Sequence, residues 1–272
     1  MTAPLRVERG GPDGSVVRVV LDRPEVHNAF DAGLIDALRR TFDRLSSEPP
    51  GRLRAVVLMG EGPSFCAGAD VNWMRASLGL SVEENEADAM RLAEMLEAID
   101  HCPAPVVARV HGAALGGGMG LCAVSDLVIA ESGAKFGFTE TRLGLLPAVI
   151  SPFVIGKIGE SNARALFPGG RRFDATRALR IGLVHEVVEG IDGLDRAIDV
   201  AVRDLLAAGP LAARAAKAIV REVRGLPHQS TRWHTARVIA TQRTSAEGQE
   251  GLRAFLEKRK AAWVPEPPDD AG

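Results

Sequence analysis

Two short stretches of this sequence have the composition to do chemistry through the backbone rather than through side chains. The first is SFCAGADVNWM at 64 to 74, and the second is HGAALGGGMGL at 111 to 121. Each follows a β-like run, LRAVVLMG or APVVARV, and so lies where the chain leaves a strand. Glycine and alanine at such an exit let a ligand approach backbone N–H groups closely. In the second stretch Met119, Leu121, Cys122 and Val124 suit a buried helix that starts near Gly117. The free N–H groups and positive end of that helix favour an anion, either a phosphate or an oxyanion that develops during a reaction. Neither stretch reads GxxxxGKS/T or GxGxxG, which argues against a nucleotide. Glycine content by itself is equally consistent with a helix crossing a strand at close range.

Other reactive residue types have simpler readings. Cys66, Cys102 and Cys122 are odd in number and lack CxxC spacing, which argues against a disulfide framework and a zinc site. No HExxH or DxDxDG pattern points to a metal. His111 after a strand reads as a satisfied core histidine, Asp126 as a backbone cap, and Asp22, Arg23 and Pro24 as a turn that ends a strand. Cys66 and Cys122 read as small packing residues. With 33 Lys+Arg against 35 Asp+Glu, the net charge of -2 gives no global field for nucleic acid or an anionic membrane. The N-terminal MTAPLRVERGGPDG has no apolar core of the signal-peptide kind, and no apolar run reaches membrane-spanning length, so a cytoplasmic protein is expected.

The elements that must hold these residues follow from periodicity. SVVRVVLD, LRAVVLMG, APVVARVHG, SDLVIA, KFGF and LVHEVV are β-branched, turn-bounded runs that predict strands. Between them, 29–45 (Phe30, Leu34, Leu38, Phe42, Leu45) and 83–99 (Met90, Ala93, Leu96, Ile99) have helical spacing. The alternation predicts an α/β fold with crossover connections. From about Asp192 onward the chain is rich in Ala, Arg and Leu with no convincing strand, which predicts packed helices serving as a lid or an oligomerisation module. VPEPPDDAG at the end reads as a frayed terminus.

Four motifs in order, LDRPEVHNAFD, FCAGADV, HGAALGGGMGL and FGFTETRLGLLP, resemble the crotonase (enoyl-CoA hydratase/isomerase) superfamily over nearly the whole chain. EGLRAFLEKRKAAW is similar to that family's usual ending. The resemblance implies a spiral of ββα units over 1–200, followed by a helical trimerisation region over 201–272. It also implies a homotrimer or dimer of trimers acting on acyl-CoA, with no separate cofactor because coenzyme A is part of the substrate, no metal, no nucleic acid and no membrane. By resemblance, the Ala69 and Gly117 N–H groups would hold the thioester oxygen, with Gly68, Gly116 and Gly118 as small neighbours. Preorganised donors of this kind lower the barrier to enolate formation by ~3–4 kcal/mol each. Val26, His27, Ala29, Ala67, Asp70 and Val71, together with Gly68 and Gly116, would surround CoA. Trp73 and Met74 would wall the acyl pocket or simply pack a helix, and Lys258, Arg259 and Lys260 would meet CoA phosphates or form a solvated helix end.

Of the family's two acidic positions, one falls on Gly120 and is empty of acid, and the other falls on Glu140. A single glutamate suits hydration of a 2-enoyl thioester, and it equally suits Δ3,Δ2 isomerisation by moving a proton from the α- to the γ-carbon. Both need a carboxylate whose proton affinity is raised by burial, whereas an exposed loop glutamate or a partner of Arg142 would do neither. GGGMGLCAVSD followed by TETRLGLLPAVISPFVI is similar to a bacterial branch acting on 3-methylglutaconyl-CoA and longer glutaconyl esters, as in leucine degradation. Such a substrate would want a cation, for which Arg142, Arg75 and His27 are the candidates. Gly120 is expected to make room for a β-branched or longer acyl group. A catalytically silent acyl-CoA binder is the alternative from outside enzyme chemistry.

Overall fold

The computed structural model describes residues 3–265. Strands β1 (Leu5–Gly10), β2 (Val16–Leu21), β3 (Ala55–Gly60), β4 (Val106–Val110), β6 (Leu127–Glu131) and β9 (Glu186–Val188) form one six-stranded sheet in the order β1-β2-β3-β4-β6-β9. The β1–β2 pair is antiparallel, from Leu5 opposite Leu21 to Gly10 opposite Val16, and the remaining pairs are parallel. A second sheet holds β5 (Ala113–Leu115), β7 (Lys135–Gly137) and β8 (Phe173–Asp174) in the order β5-β7-β8. Single parallel bridges, Cys66 to Ala114 and Phe30 to Ala69, carry this second layer further back along the chain.

The path therefore repeats. A strand in the large sheet is followed by a short extended segment in the second layer and then by a helix that returns the chain to the next parallel strand. The helices are α1 (Ala32–Ser46), α2 (Val71–Ala76), α3 (Val82–Asp100), α4 (Gly117–Val124), α5 (Ser151–Leu166) and α6 (Ala175–Arg180). This is an α/β architecture, a spiral of ββα-type turns of the kind the resemblance implies. Parallel strands are covered on both sides, which is why β3, β4 and β6 read as nearly unbroken apolar runs. Between the layers lies the main core, with Phe30, Phe42, Phe65, Phe136 and Phe138 fully buried. On the other face of the large sheet, α7 (Gly190–Ala207) covers Val57, Val107 and Ile129 with Leu194, Ile198 and Leu206.

Both long amphipathic helices form where their spacing predicts. Asp31 caps α1 by accepting from Leu34 N at 2.8 Å, and Ser81 with Glu84 makes a reciprocal capping box on α3. The last third is helical, as α7, α8 (Pro210–Val223), α9 (His228–Thr244) and α10 (Ala246–Leu256). The boundary drawn at 200/201 falls within α7. From α8 onward large apolar side chains face outward, among them Val220, Trp233, Ile239 and Phe255. The terminus expected to fray lies, from Glu266 on, outside the described residues.

Candidate active site

Each glycine stretch sits where a second-layer segment turns into a helix. Phe30 N donates to Gly68 O at 2.6 Å and Asp70 N donates to Phe30 O at 2.8 Å, so Phe30 spans Ala69 and the N–H of Ala69 points the other way. Asp70 then opens α2, its Oδ1 accepting from Asn72 N at 2.7 Å. In the next turn of the spiral Gly116 N donates to Gly137 O at 2.9 Å and ends the β5–β7 ladder. Gly117 is the first residue of α4, where a backbone N–H has no partner within the helix.

Close approach explains the small residues. Gly116 has φ 49° and ψ -116°, a conformation that suits glycine alone. A Cβ on Gly68 would come within 3.7 Å of Gly116 Cα, and a Cβ on Gly116 within 3.7 Å of Gly68 Cα, so the two loops touch at their glycines. A Cβ on Gly117 would meet the Phe30 ring at 2.5 Å, and one on Gly118 would strike the Cys66 carbonyl.

Glu140 arrives from a third turn. It begins a 3-10 helix (Glu140–Leu143) after β7, and its Oε1 lies 3.5 Å from where a Cβ on Gly116 would be. Oε2 is buried without a hydrogen-bond partner. Burial pushes the carboxyl above the usual carboxylate range. Among the described residues Arg142 makes no ion pair with Glu140, so the salt-bridge alternative does not hold. Ala69, Gly117 and Glu140, which lie far apart in sequence, thus converge on one place.

Gly120 departs from the expectation. Its place is not open: a Cβ there would lie 2.6 Å from Ile150 Cγ2 and 3.4 Å from Leu96 Cδ2. The missing side chain is compensated by Ile150 from the PAVISPF segment, so no enlarged pocket results at this point.

The proposed CoA surroundings form a second cluster beside the first. Ala67 N donates to His27 O at 3.0 Å, which ties the RPEVHNA turn to the AGAD loop. Val26 is partly buried, Ala29 buried, and His27 and Val71 exposed. A hollow of about 320 Å³ is lined by Arg23, Asp31, Ala32, Gly33, Asp70, Asn72 and Trp73. The Asp70 carboxylate is spent within the protein, on Asn72 N and on Arg23 Nη2 at 2.9 Å. Arg259 is likewise held by Glu250 at 2.6 Å and Glu257 at 2.7 Å, pulling Glu250 down to about 2.

Residues read as structural are so placed. His111 Nε2 lies 2.7 Å from Gly62 O, Asp126 Oδ2 accepts from Val106 N at 2.7 Å, and burial pushes Cys66 and Cys122 up to about 12. Reading the sequence overlooked Asn28. Fully buried and left-handed (φ 55°), it accepts from Arg23 N and donates to Glu61 O and Ser64 O at 2.8–2.9 Å, pinning one loop to the other. Its signal was an asparagine after a Pro turn, a residue that tolerates positive φ.

A family model described as enoyl-CoA hydratase/isomerase matches residues 11–266. The chain belongs to the enoyl-CoA hydratase/isomerase family. Among relatives, the enoyl-CoA isomerase/hydratase fer4 of Mycosarcoma maydis is 33% identical over 277 residues, covering 93% of this chain and 96% of that one. The crystal structure of an enoyl-CoA hydratase from Shewanella pealeana is 38% identical with a TM-score of 0.89, covering 96% of each chain. Pseudomonas aeruginosa AtuE is 35% identical with a TM-score of 0.92, covering 96% of this chain and 100% of that one. Within this hydratase/isomerase family member, no helix among the described residues is long and apolar enough to cross a membrane. No group of three or more His, Cys, Asp or Glu among them is arranged to hold a metal.

Proposed function

We propose that this protein hydrates a 2-enoyl-CoA thioester, with Glu140 as its one acid/base and the Ala69 and Gly117 N–H groups as the oxyanion site. The observation that carries the reading is the meeting of the Gly68–Ala69 and Gly116–Gly117 turns beside a buried carboxyl that has an unpartnered oxygen and raised proton affinity. In the hydration step, ionised Glu140 takes a proton from water as the water oxygen bonds to Cβ. The C=C electrons move to Cα and onto the thioester oxygen, where the two N–H groups stabilise the charge. Protonated Glu140 then gives its proton to Cα, and the carboxylate is restored.

A second reaction at the same site is Δ3,Δ2 isomerisation, in which Glu140 takes a proton from Cα and returns it at Cγ. The apolar packing of Ile150 and Leu96 at Gly120 favours it, because one shuttling carboxylate then suffices and no second polar group is needed. CoA belongs to the substrate in this reading, lying along Val26, His27, Ala29, Ala67 and Val71 near the hollow lined by Trp73. Asp70 supports the loop from within.

A glutaconyl ester would need a cation beyond the double bond. Arg75 instead donates to Asn72 Oδ1 at 3.2 Å, the His27 ring pairs with Ser64 Oγ at 3.1 Å, and among the described residues no charged neighbour acts on Glu140. This supports an uncharged acyl group. The outward apolar faces of α8 to α10 support association of further copies through the C-terminal helices, as in the trimer the resemblance implies.

The test is turnover of crotonyl-, 3-methylcrotonyl-, 3-methylglutaconyl- and 3-hexenoyl-CoA, followed by enoyl-thioester absorbance, with Glu140→Gln alongside. Loss of absorbance with crotonyl-CoA that vanishes in the variant supports hydration, and a gain with the 3-enoyl ester alone makes the protein an isomerase. Silence across the panel leaves an acyl-CoA binder.

A further inference from the structure

We propose that Ile150 is a specificity-determining residue, the wall that limits how far the acyl chain runs past Glu140. This rests on the reading of the Ala69, Gly117 and Glu140 site as an acyl-thioester site. Helix α4 begins there, and its N-cap glycine and a glycine of its first turn are each faced by a side chain from the 140–150 segment. Gly116 meets the Glu140 carboxyl and Gly120 meets Ile150. Gly117 opens α4 and Gly120 stands three positions on, the spacing that brings a helix back to nearly the same side, about 4.5 Å further along the axis. A thioester held at Gly117 N with its reacting carbons at Glu140 has this glycine-lined side of α4 as its low-relief path. That path ends where Ile150 Cγ2 fills the space a Cβ on Gly120 would need.

The wall is sealed. Ile150 is only 3% exposed, Leu96 behind it is fully buried, and Ile150 immediately precedes α5, whose first turn holds it against α4. Ser151 N donates to Ala148 O at 3.0 Å and Ser151 Oγ to the same oxygen at 2.7 Å, a tight turn that leaves the Ile150 backbone little freedom. Removing atoms from Ile150 therefore lengthens the pocket without touching the N–H pair or the carboxyl. The class of substrate that follows is a short acyl chain.

The experiment measures binding of the unreactive saturated butanoyl-, hexanoyl-, octanoyl- and decanoyl-CoA by calorimetry, to wild type, Ile150→Val, Ile150→Ala and Glu140→Gln. Ile150→Ala is expected to shift the octanoyl-to-butanoyl affinity ratio toward the longer chain by roughly tenfold or more, as expected for methylenes fitting an apolar pocket. Ile150→Val should shift it less in the same direction, and decides the matter alone if the alanine variant does not fold. Glu140→Gln should keep the wild-type ratio while losing turnover. A ratio that moves less than about twofold in folded Ile150 variants overturns the proposal, and so does absence of any acyl-CoA binding to wild type. Chain-length selectivity that shifts without turnover by any form upholds the role of Ile150 while sinking the hydratase and isomerase readings.

Discussion

Arg23 and Asp70 form a nearly buried ion pair, Nη2 to Oδ2 at 2.9 Å, with Arg23 Nη1 also donating to Ala29 O at 2.6 Å. The pair joins the turn after β2 to the residue that follows Ala69, so it fixes the direction of the Ala69 N–H. Asp70→Ala removes an α2 cap and leaves Arg23, among the described residues, with the Ala29 carbonyl and the more exposed Asp31 carboxylate at 2.9 Å. Breaking a buried pair costs ~3–5 kcal/mol, and the lower end applies here because Asp31 remains. Urea unfolding should show that loss, and kcat should fall more than KM rises because the donor is displaced.

Glu140→Gln should lower kcat by about 10²–10⁴-fold while raising the melting temperature at neutral pH. The native carboxyl binds its proton more tightly than the unfolded one. Stability is therefore greatest below the ordinary carboxylate pKa and is lost as pH rises toward the raised native value. The variant lacks that loss. In wild type, kcat/KM should climb with pH through the same raised value, since the base must be ionised. A variant with unchanged turnover, or one less stable than wild type at pH 7, contradicts the assignment.

Gly117→Ala drives a methyl into the Phe30 ring at 2.5–2.6 Å. Overpacking of this kind costs ~1–3 kcal/mol, and shifting one oxyanion donor costs about 10²–10³ in kcat. Adding Phe30→Leu should restore most of the melting temperature. If the single variant keeps full activity, Gly117 N–H is not the donor.

Lys157 donates its ammonium to the carbonyl of Ser125, the residue that ends α4, and burial lowers the lysine to about 8. Between about 8 and the ordinary value of 10.5 the native lysine is neutral while the unfolded one is charged, so stability should rise with pH across that window. Lys157→Met should flatten the rise in denaturant midpoints. An identical slope in both proteins assigns the dependence elsewhere.

Trp233 and Phe255 are 77% and 81% exposed on the C-terminal helices. Trp233→Ser with Phe255→Ser should convert an oligomer to monomer in light scattering. A monomeric wild type would leave those faces without their expected partner.

The strands of the large sheet that are buried on both faces were legible because burial writes itself as β-branched runs, and α1 and α3 because one apolar stripe repeats. Strand β1 was not read, since LRVERG lies on an exposed edge and offers only Leu5 and Val7 as apolar residues, Val7 being exposed. β5 and β8 were hidden by brevity, three and two residues whose pairing is decided by neighbours distant in sequence. Motif order picked out Ala69, Gly117 and Glu140, which the structure brings close to one another, but single-residue reasoning misjudged the space at Gly120. A glycine announces a missing side chain without saying which neighbour takes the space, and Ile150 lies 30 positions away (150 − 120).

Ala69 and Gly117 come from consecutive turns of the spiral, and Glu140 comes from the turn after them. The 140–150 segment carries both Glu140 and Ile150, so the proposed proton carrier and the proposed wall of the acyl site are exchangeable together. Under that reading, divergence by replacement of one segment redirects chemistry and substrate size in a single event and leaves the two backbone N–H turns inherited intact.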